Sequence, residues 1–113
     1  MKGCVFCDII SGESRCEKVF ENDDVFAFND ANPVAPVHIL VVSKEHIRSI
    51  ADIDSSNSRV MAALFEAIAE IAKEQGLKDG FRVVSNVGGN AGQTVSHLHM
   101  HLIGGHMLSM KLG

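Results

Sequence analysis

One heptapeptide near the end of the chain, His97-Leu98-His99-Met100-His101-Leu102-Ile103, constrains the fold more than any other feature. Imidazoles and apolar side chains alternate through it. In a β-strand successive side chains point to opposite faces. The run therefore predicts a strand over Ser96–Ile103 with His97, His99 and His101 on one face, neighbouring histidines about 6–7 Å apart. Leu98, Met100 and Leu102 anchor the opposite face in a core. Three titratable, nucleophilic, phosphate-compatible rings on one face make a candidate site. Histidines at i and i+2 are also metal ligands in some proteins, and that reading stays beside the catalytic one. A purification tag does not fit, because tag histidines are consecutive.

The preceding segment, Asn86-Val87-Gly88-Gly89-Asn90-Ala91-Gly92-Gln93-Thr94-Val95-Ser96, is rich in glycine. Backbone without Cβ atoms can turn its N–H groups toward an anion. Gln93, Thr94 and Ser96 add polar side chains. A glycine-rich loop feeding a histidine strand reads as a phosphate cradle next to a base or nucleophile.

The rest of the chain supplies a frame for this strand. A short helix runs from about Cys7 to Gly12. Val19–Glu21 and Val25–Phe28 read as strands around the turn residues Asn22-Asp23-Asp24. Val37–Ser43 is an apolar, β-branched run that suits a central strand. Val60, Leu64, Ile68 and Ile71 recur on one face of a helix over Ser58–Gln75, and Gly76 follows where a helix end favours glycine. Phe81–Ser85 is a further strand. The pattern predicts an α+β fold with an antiparallel sheet.

With 113 residues the chain forms one domain, assigned to 1–113, and its core is small enough to gain from dimerisation. No stretch is long and apolar enough to span a bilayer, and no basic segment precedes an apolar run at the start. A cytoplasmic protein is expected. The formal charge of −4 disfavours a grip on long nucleic acid but allows a mononucleotide site built from amides and imidazoles.

The histidine run resembles the signature of the histidine triad (HIT) family of nucleotide hydrolases and transferases. The likeness extends to Phe6-Cys7-Asp8-Ile9-Ile10, Ala27-Phe28-Asn29-Asp30, Pro36-Val37-His38, Lys44-Glu45-His46 and Gly92-Gln93-Thr94, in the same order. It is nearest the small Hint-like branch of purine nucleoside phosphoramidases. The resemblance implies a five-stranded antiparallel sheet with one long and one short helix, dimerising into a continuous sheet.

It also implies roles. His99 is the nucleophile, forming a covalent nucleotidyl-histidine at the α-phosphate. Neutral imidazole suits this, with an ordinary pKa near ~6.5. A backbone carbonyl on its other ring nitrogen fixes the tautomer. His101 hydrogen-bonds the phosphate, although a packed polar residue is the plainer reading of that position. Thr94 stands where small Hint-like proteins commonly have serine, and it keeps the hydroxyl. Gly92, Gln93, Thr94, Val95 and Asn86 form the phosphate cradle, with a turn residue as the competing reading of Asn86. Asp30 accepts from the ribose hydroxyls, or is an ordinary loop aspartate. Phe6, Ile9, Phe28, Asn29 and Ala31 adjoin the nucleoside, and His38 supports the triad. Substrates implied are purine nucleoside monophosphate derivatives such as phosphoramidates. Dinucleoside polyphosphate hydrolysis and nucleotide binding without turnover are the alternatives.

Cys4, Cys7 and Cys16 are an odd set, which argues against a disulfide framework. Cys4 and Cys7 have the spacing to share a metal, but a tetrahedral zinc needs two further ligands. Some bacterial HIT proteins resemble this chain here, and the resemblance supplies His46 and His97. Such a zinc is structural, with no metal needed for the chemical step. Free thiols or a redox pair are the other readings. The tail, Gly104–Gly113, lacks the tryptophan and proline common in Hint-like proteins.

Overall fold

Alternation along the strands gives the sheet two different faces. The structure is a computed structural model that describes residues 3–111, so the outermost two residues at each end of the expected 1–113 domain lie outside it. Helix α1 spans Val5–Ser11, followed by β1 (Lys18–Glu21), β2 (Val25–Asn29) and β3 (Val37–Ser43). Helix α2 spans Arg59–Glu74, then come β4 (Phe81–Val84) and β5 (His99–Gly104). Short 3₁₀ turns lie at Ile50–Asp52 and Gly89–Ala91. The five strands form one sheet in the order β1-β2-β3-β5-β4, and every neighbouring pair is antiparallel. Among the described residues no helix is long and apolar enough to cross a membrane.

Helix α2 covers one face. Val60, Leu64, Ile68 and Ile71 are buried against Val25, Ala27, Ile39, Val41, Met100 and Leu102. Burying such a side chain fully contributes about 1.5–3 kcal/mol, so this layer carries much of the stability. Gly12 (φ 88°) and Gly76 (φ 72°) stop the two helices in the left-handed region, where a side chain is strained.

Helix α1 covers part of the other face. Phe6 and Ile9 pack with Phe26, Phe28, Leu40 and Val42 in a second, smaller cluster. The register brings His99 opposite Val42 and His101 opposite Leu40, and pairs Ile103 with His38. Paired residues in a sheet point the same way. His38, His99 and His101 therefore share the α1 face.

The last strand is shorter than expected. It begins at His99, not Ser96, and His97 precedes it. The Leu98 amide donates to the Ile47 carbonyl (2.6 Å) and the His97 amide to the Val95 carbonyl (2.9 Å), so this stretch follows a bent path outside the ladder. The three histidines do not form a simple row on one strand.

Candidate active site and metal cluster

Each histidine on the α1 face has its ring nitrogens committed differently. His99 Nδ1 lies 2.6 Å from the His97 carbonyl. A carbonyl only accepts, so Nδ1 carries the proton and the Nε2 lone pair is left available. His99 Nε2 has no hydrogen-bond partner among the described residues, although the residue is 7% exposed. The Ser85 hydroxyl donates to the His99 carbonyl (2.8 Å), and the Phe6 ring stands edge-on to the His99 ring, centroids 4.9 Å apart. Backbone, ring and orientation are thus all held.

His38 and His101 form a relay of defined polarity. The Val34 N–H donates to His38 Nδ1 (3.1 Å), which assigns the His38 proton to Nε2. That Nε2–H meets His101 Nδ1 at 2.9 Å, with Asp30 Oδ2 3.4 Å away. His101 Nδ1 then accepts, and Nε2–H of His101 becomes an outward donor. Burial first, then the neighbouring His99 and His38, lowers the His101 pKa below 6.5, and Asp30 opposes the shift. Asp30, His38 and His101 are close enough to hold an ion, but the Val34 amide keeps the proton on the His38 nitrogen that would have to bind it. The trio is a hydrogen-bond chain.

The glycine-rich loop is stapled from within. Gln93 Oε1 accepts from the Gly88 amide (2.8 Å), and Gln93 Nε2 donates to the carbonyls of Arg48 (2.8 Å) and Val95 (3.0 Å). Asn86 Nδ2 donates to the Ala91 carbonyl (2.8 Å). Both side chains shape the loop through its own backbone. The amides of Thr94, Val95 and Ser96 make no hydrogen bond among the described residues, which leaves three consecutive donors just ahead of His97. Thr94 is exposed and Val95 packs partly against the α1 cluster. Gly92 closes the 3₁₀ turn.

The remaining nucleoside-binding expectations divide. Phe6, Ile9 and Phe28 are brought together, with Phe6 and Phe28 rings 5.7 Å apart. Asp30 lies at the end of β2, its Oδ1 accepting from the Asn32 amide (2.8 Å). Ala31 is exposed in the following loop. Asn29 is not brought to the cluster. It is one residue out of phase with Phe28, and its side-chain amide donates to Glu17 Oε2 (3.2 Å) beside β1. Strand alternation turns it to the other face.

Four residues converge beside this site. Cys4 is the N-cap of α1, its sulfur accepting from the Cys7 amide, so one helical turn presents both thiols together. Cys4 Sγ and Cys7 Sγ lie 3.3 and 3.6 Å from His97 Nδ1, and Cys7 Sγ lies 3.3 Å from His46 Nδ1. A tetrahedral zinc with ordinary bond lengths would set sulfur and nitrogen ligands about 3.5 Å apart. His97 Nε2 donates to the Ser43 carbonyl (2.7 Å), so its Nδ1 lone pair faces the thiols, the carbonyl-braced arrangement common in metal-ligating histidines. The cluster fits a metal ion. His97 is fully buried, and burial lowers its pKa, opposed by the hydrogen bond to the Ser43 carbonyl and aided by the neighbouring His46 and His99, a direction that favours the neutral ring a metal ligand needs. Cys16 is exposed and takes no part.

The sequence has clear relatives. The HIT domain family model matches residues 11–108. The chain is 46% identical over 104 residues to a HIT-like protein of Chlamydia pneumoniae, an alignment covering 92% of this chain and 94% of that one. It is 38% identical over 104 residues to Protein HitA of Neisseria gonorrhoeae (92% and 97% covered). Among solved structures it is similar to a HIT family hydrolase from Clostridium thermocellum, with TM-score 0.96, 40% identity, and 99% and 98% of the two chains covered. It is also similar to a histidine triad protein from Clostridium difficile, with TM-score 0.95, 45% identity and the same coverage.

Proposed function

The chain belongs to the HIT family, and from that premise we propose that it hydrolyses purine nucleoside phosphoramidates or similar nucleoside monophosphate derivatives at the α-phosphate. The observation that carries the reading is the 2.6 Å contact from His99 Nδ1 to the His97 carbonyl, which leaves Nε2 as a lone pair aimed away from its anchor. Nε2 attacks phosphorus, an N–P bond forms, and the bond from phosphorus to the leaving amine breaks. The amine departs with a proton from a donor in the site, for which the Thr94 hydroxyl and His101 Nε2–H are the candidates. Water then attacks phosphorus, the bond from phosphorus to His99 Nε2 breaks, and the water proton returns to the group that protonated the amine, releasing the nucleotide and neutral His99. The unbonded amides at Thr94–Ser96 and His101 Nε2–H would meet the non-bridging oxygens.

Asp30 is the ribose acceptor in this reading, and Phe6, Ile9 and Phe28 form the apolar wall of the nucleoside site. Zinc is the metal assigned to Cys4, Cys7, His46 and His97. Four protein ligands leave no open position, so the ion would fix structure and not activate substrate. A homodimer is proposed on the exposure of Phe81 and Val83 along β4, an edge strand free to extend the sheet.

The test is a rapid quench with a labelled adenosine phosphoramidate. An acid-labile, base-stable adduct on His99 is expected in the wild type and none in His99→Ala. An adduct on His97 or His101, or normal turnover by His99→Ala, defeats this mechanism. Turnover of a diadenosine polyphosphate in preference to the amide moves the substrate class.

A further inference from the structure

His97 is engaged through every polar atom it has. Its imidazole lies in the thiol cluster at Nδ1 and is held by the Ser43 carbonyl at Nε2. Its amide donates to the Val95 carbonyl. Its own carbonyl receives the proton of His99 Nδ1. The side chain answers to one site and the peptide group to the other. With the ring fixed at both nitrogens, the residue has little freedom to rotate its carbonyl away from His99.

A second link runs through α1. Phe6 sits between Cys4 and Cys7, and its ring touches both His97 (centroids 5.9 Å) and His99 (4.9 Å, planes at 82°). Anything that holds the two thiols in place also seats this ring against the imidazole of His99. The helix has only seven residues, so its own hydrogen bonds give it little stability alone. Its position depends on the contacts at its N-terminal end and on the Phe6 and Ile9 packing.

We propose that His97 is a positioning residue through which metal bound at Cys4, Cys7 and His46 sets the tautomer and orientation of His99. A histidine whose Nδ1–H loses its carbonyl populates both neutral tautomers, and the form protonated on Nε2 has no lone pair there to attack with. Loss of the metal therefore acts at His99 without removing any group that touches a substrate. The consequence for turnover rests on His99 being the nucleophile, but the effect on the ring does not.

The experiment is a histidine-selective ¹⁵N spectrum of the full chain, loaded with zinc and then stripped by chelation. It is repeated on His46→Ala, which removes an only half-buried ligand and leaves α1 and His97 intact. In loaded protein His99 is expected in one tautomer, protonated at Nδ1. In stripped protein and in His46→Ala its two nitrogen shifts should move toward averaged values while the amide spectrum stays dispersed. AMP should still bind, and initial turnover should fall about tenfold or more. Cadmium, which takes the same ligands, should restore the single tautomer. Unchanged His99 shifts on stripping overturn the inference whatever the activity does, and so does failure of the chain to take up zinc in equilibrium dialysis. A shifted tautomer in protein that never turns substrate over supports it and defeats only the enzymatic reading.

Discussion

The two faces of the sheet are built from the same strands and serve opposite ends. On β3, Ile39 and Val41 face α2 while His38, Leu40 and Val42 face the other way; on β5, Met100 and Leu102 alternate with His99 and His101. The α2 face joins fifteen buried residues in one apolar cluster, against seven in the α1 cluster, so the first holds most of the folding energy. The α1 face instead buries His38, His97 and His99, whose ring nitrogens, His99 Nε2 excepted, each have a partner. Every shielded side-chain nitrogen and oxygen among the described residues has one. Stability on one face is what permits a hydrogen-bonded, less apolar arrangement on the other.

This division can be broken from either side. His99→Ala should give the largest effect, a loss of turnover of about 10³-fold or more, because a covalent path disappears. Measured AMP affinity should stay within a few-fold of the wild type. Leu64→Ala, at a fully buried position on the α2 face, should cost about 2–5 kcal/mol in denaturant unfolding. Its kcat, assayed well below the melting temperature, should match the wild type; a matching drop in kcat would mean that the faces are not separable. Asp30→Ala should weaken ribonucleotide binding by about 1.5–3 kcal/mol and leave 2′,3′-dideoxy analogues almost unaffected. Equal losses in calorimetry would remove Asp30 from the ribose.

The smallest effect concerns pH. His101 has a folded pKa below the ordinary 6.5, chiefly through burial. The unfolded chain therefore binds this proton first as pH falls. The stability linked to a neutral His101 is complete above 6.5, declines below it, and is gone once pH passes the lowered folded value. Melting temperatures of wild type and His101→Asn should converge as pH drops from 8 to 5. Parallel curves would show that His101 is not desolvated in solution.

Much of this arrangement is legible in the sequence. The expected β3 coincides with Val37–Ser43, and α2 falls within one residue of Ser58–Gln75, because β-branched runs and helical spacing are local signals. The short helix starts earlier than expected, at Val5, because its cap is a cysteine, a residue with no ordinary capping preference. The alternation continues through His97 and so extends the expected strand over it, whereas β5 begins at His99. The bend there comes from the Leu98–Ile47 hydrogen bond and the thiol cluster, both of which join distant parts of the chain. Asn29 is adjacent to Phe28 and Asp30 in sequence, but strand alternation turns its side chain away from Phe28 and toward Glu17. The inward-turned side chain of Gln93 has no signal in a single sequence, since glutamine is equally suited to meet a ligand or its own loop.

The hydrogen bond from Val34 has a consequence for how this family of sequences is compared. Val34 is 69% exposed, so its side chain packs against little. Its N–H, however, decides which nitrogen of His38 is protonated, and through it which nitrogen of His101 faces outward. Two rings take their chemical identity from an atom that nineteen of the twenty amino acids supply equally. Proline is the exception, and Pro33 and Pro36 already bracket the position. Proline at position 34 itself would remove that donor and drive its ring into His38 Nδ1, displacing the imidazole that the relay starts from. The information resides in the backbone, where an inventory of functional residues does not look.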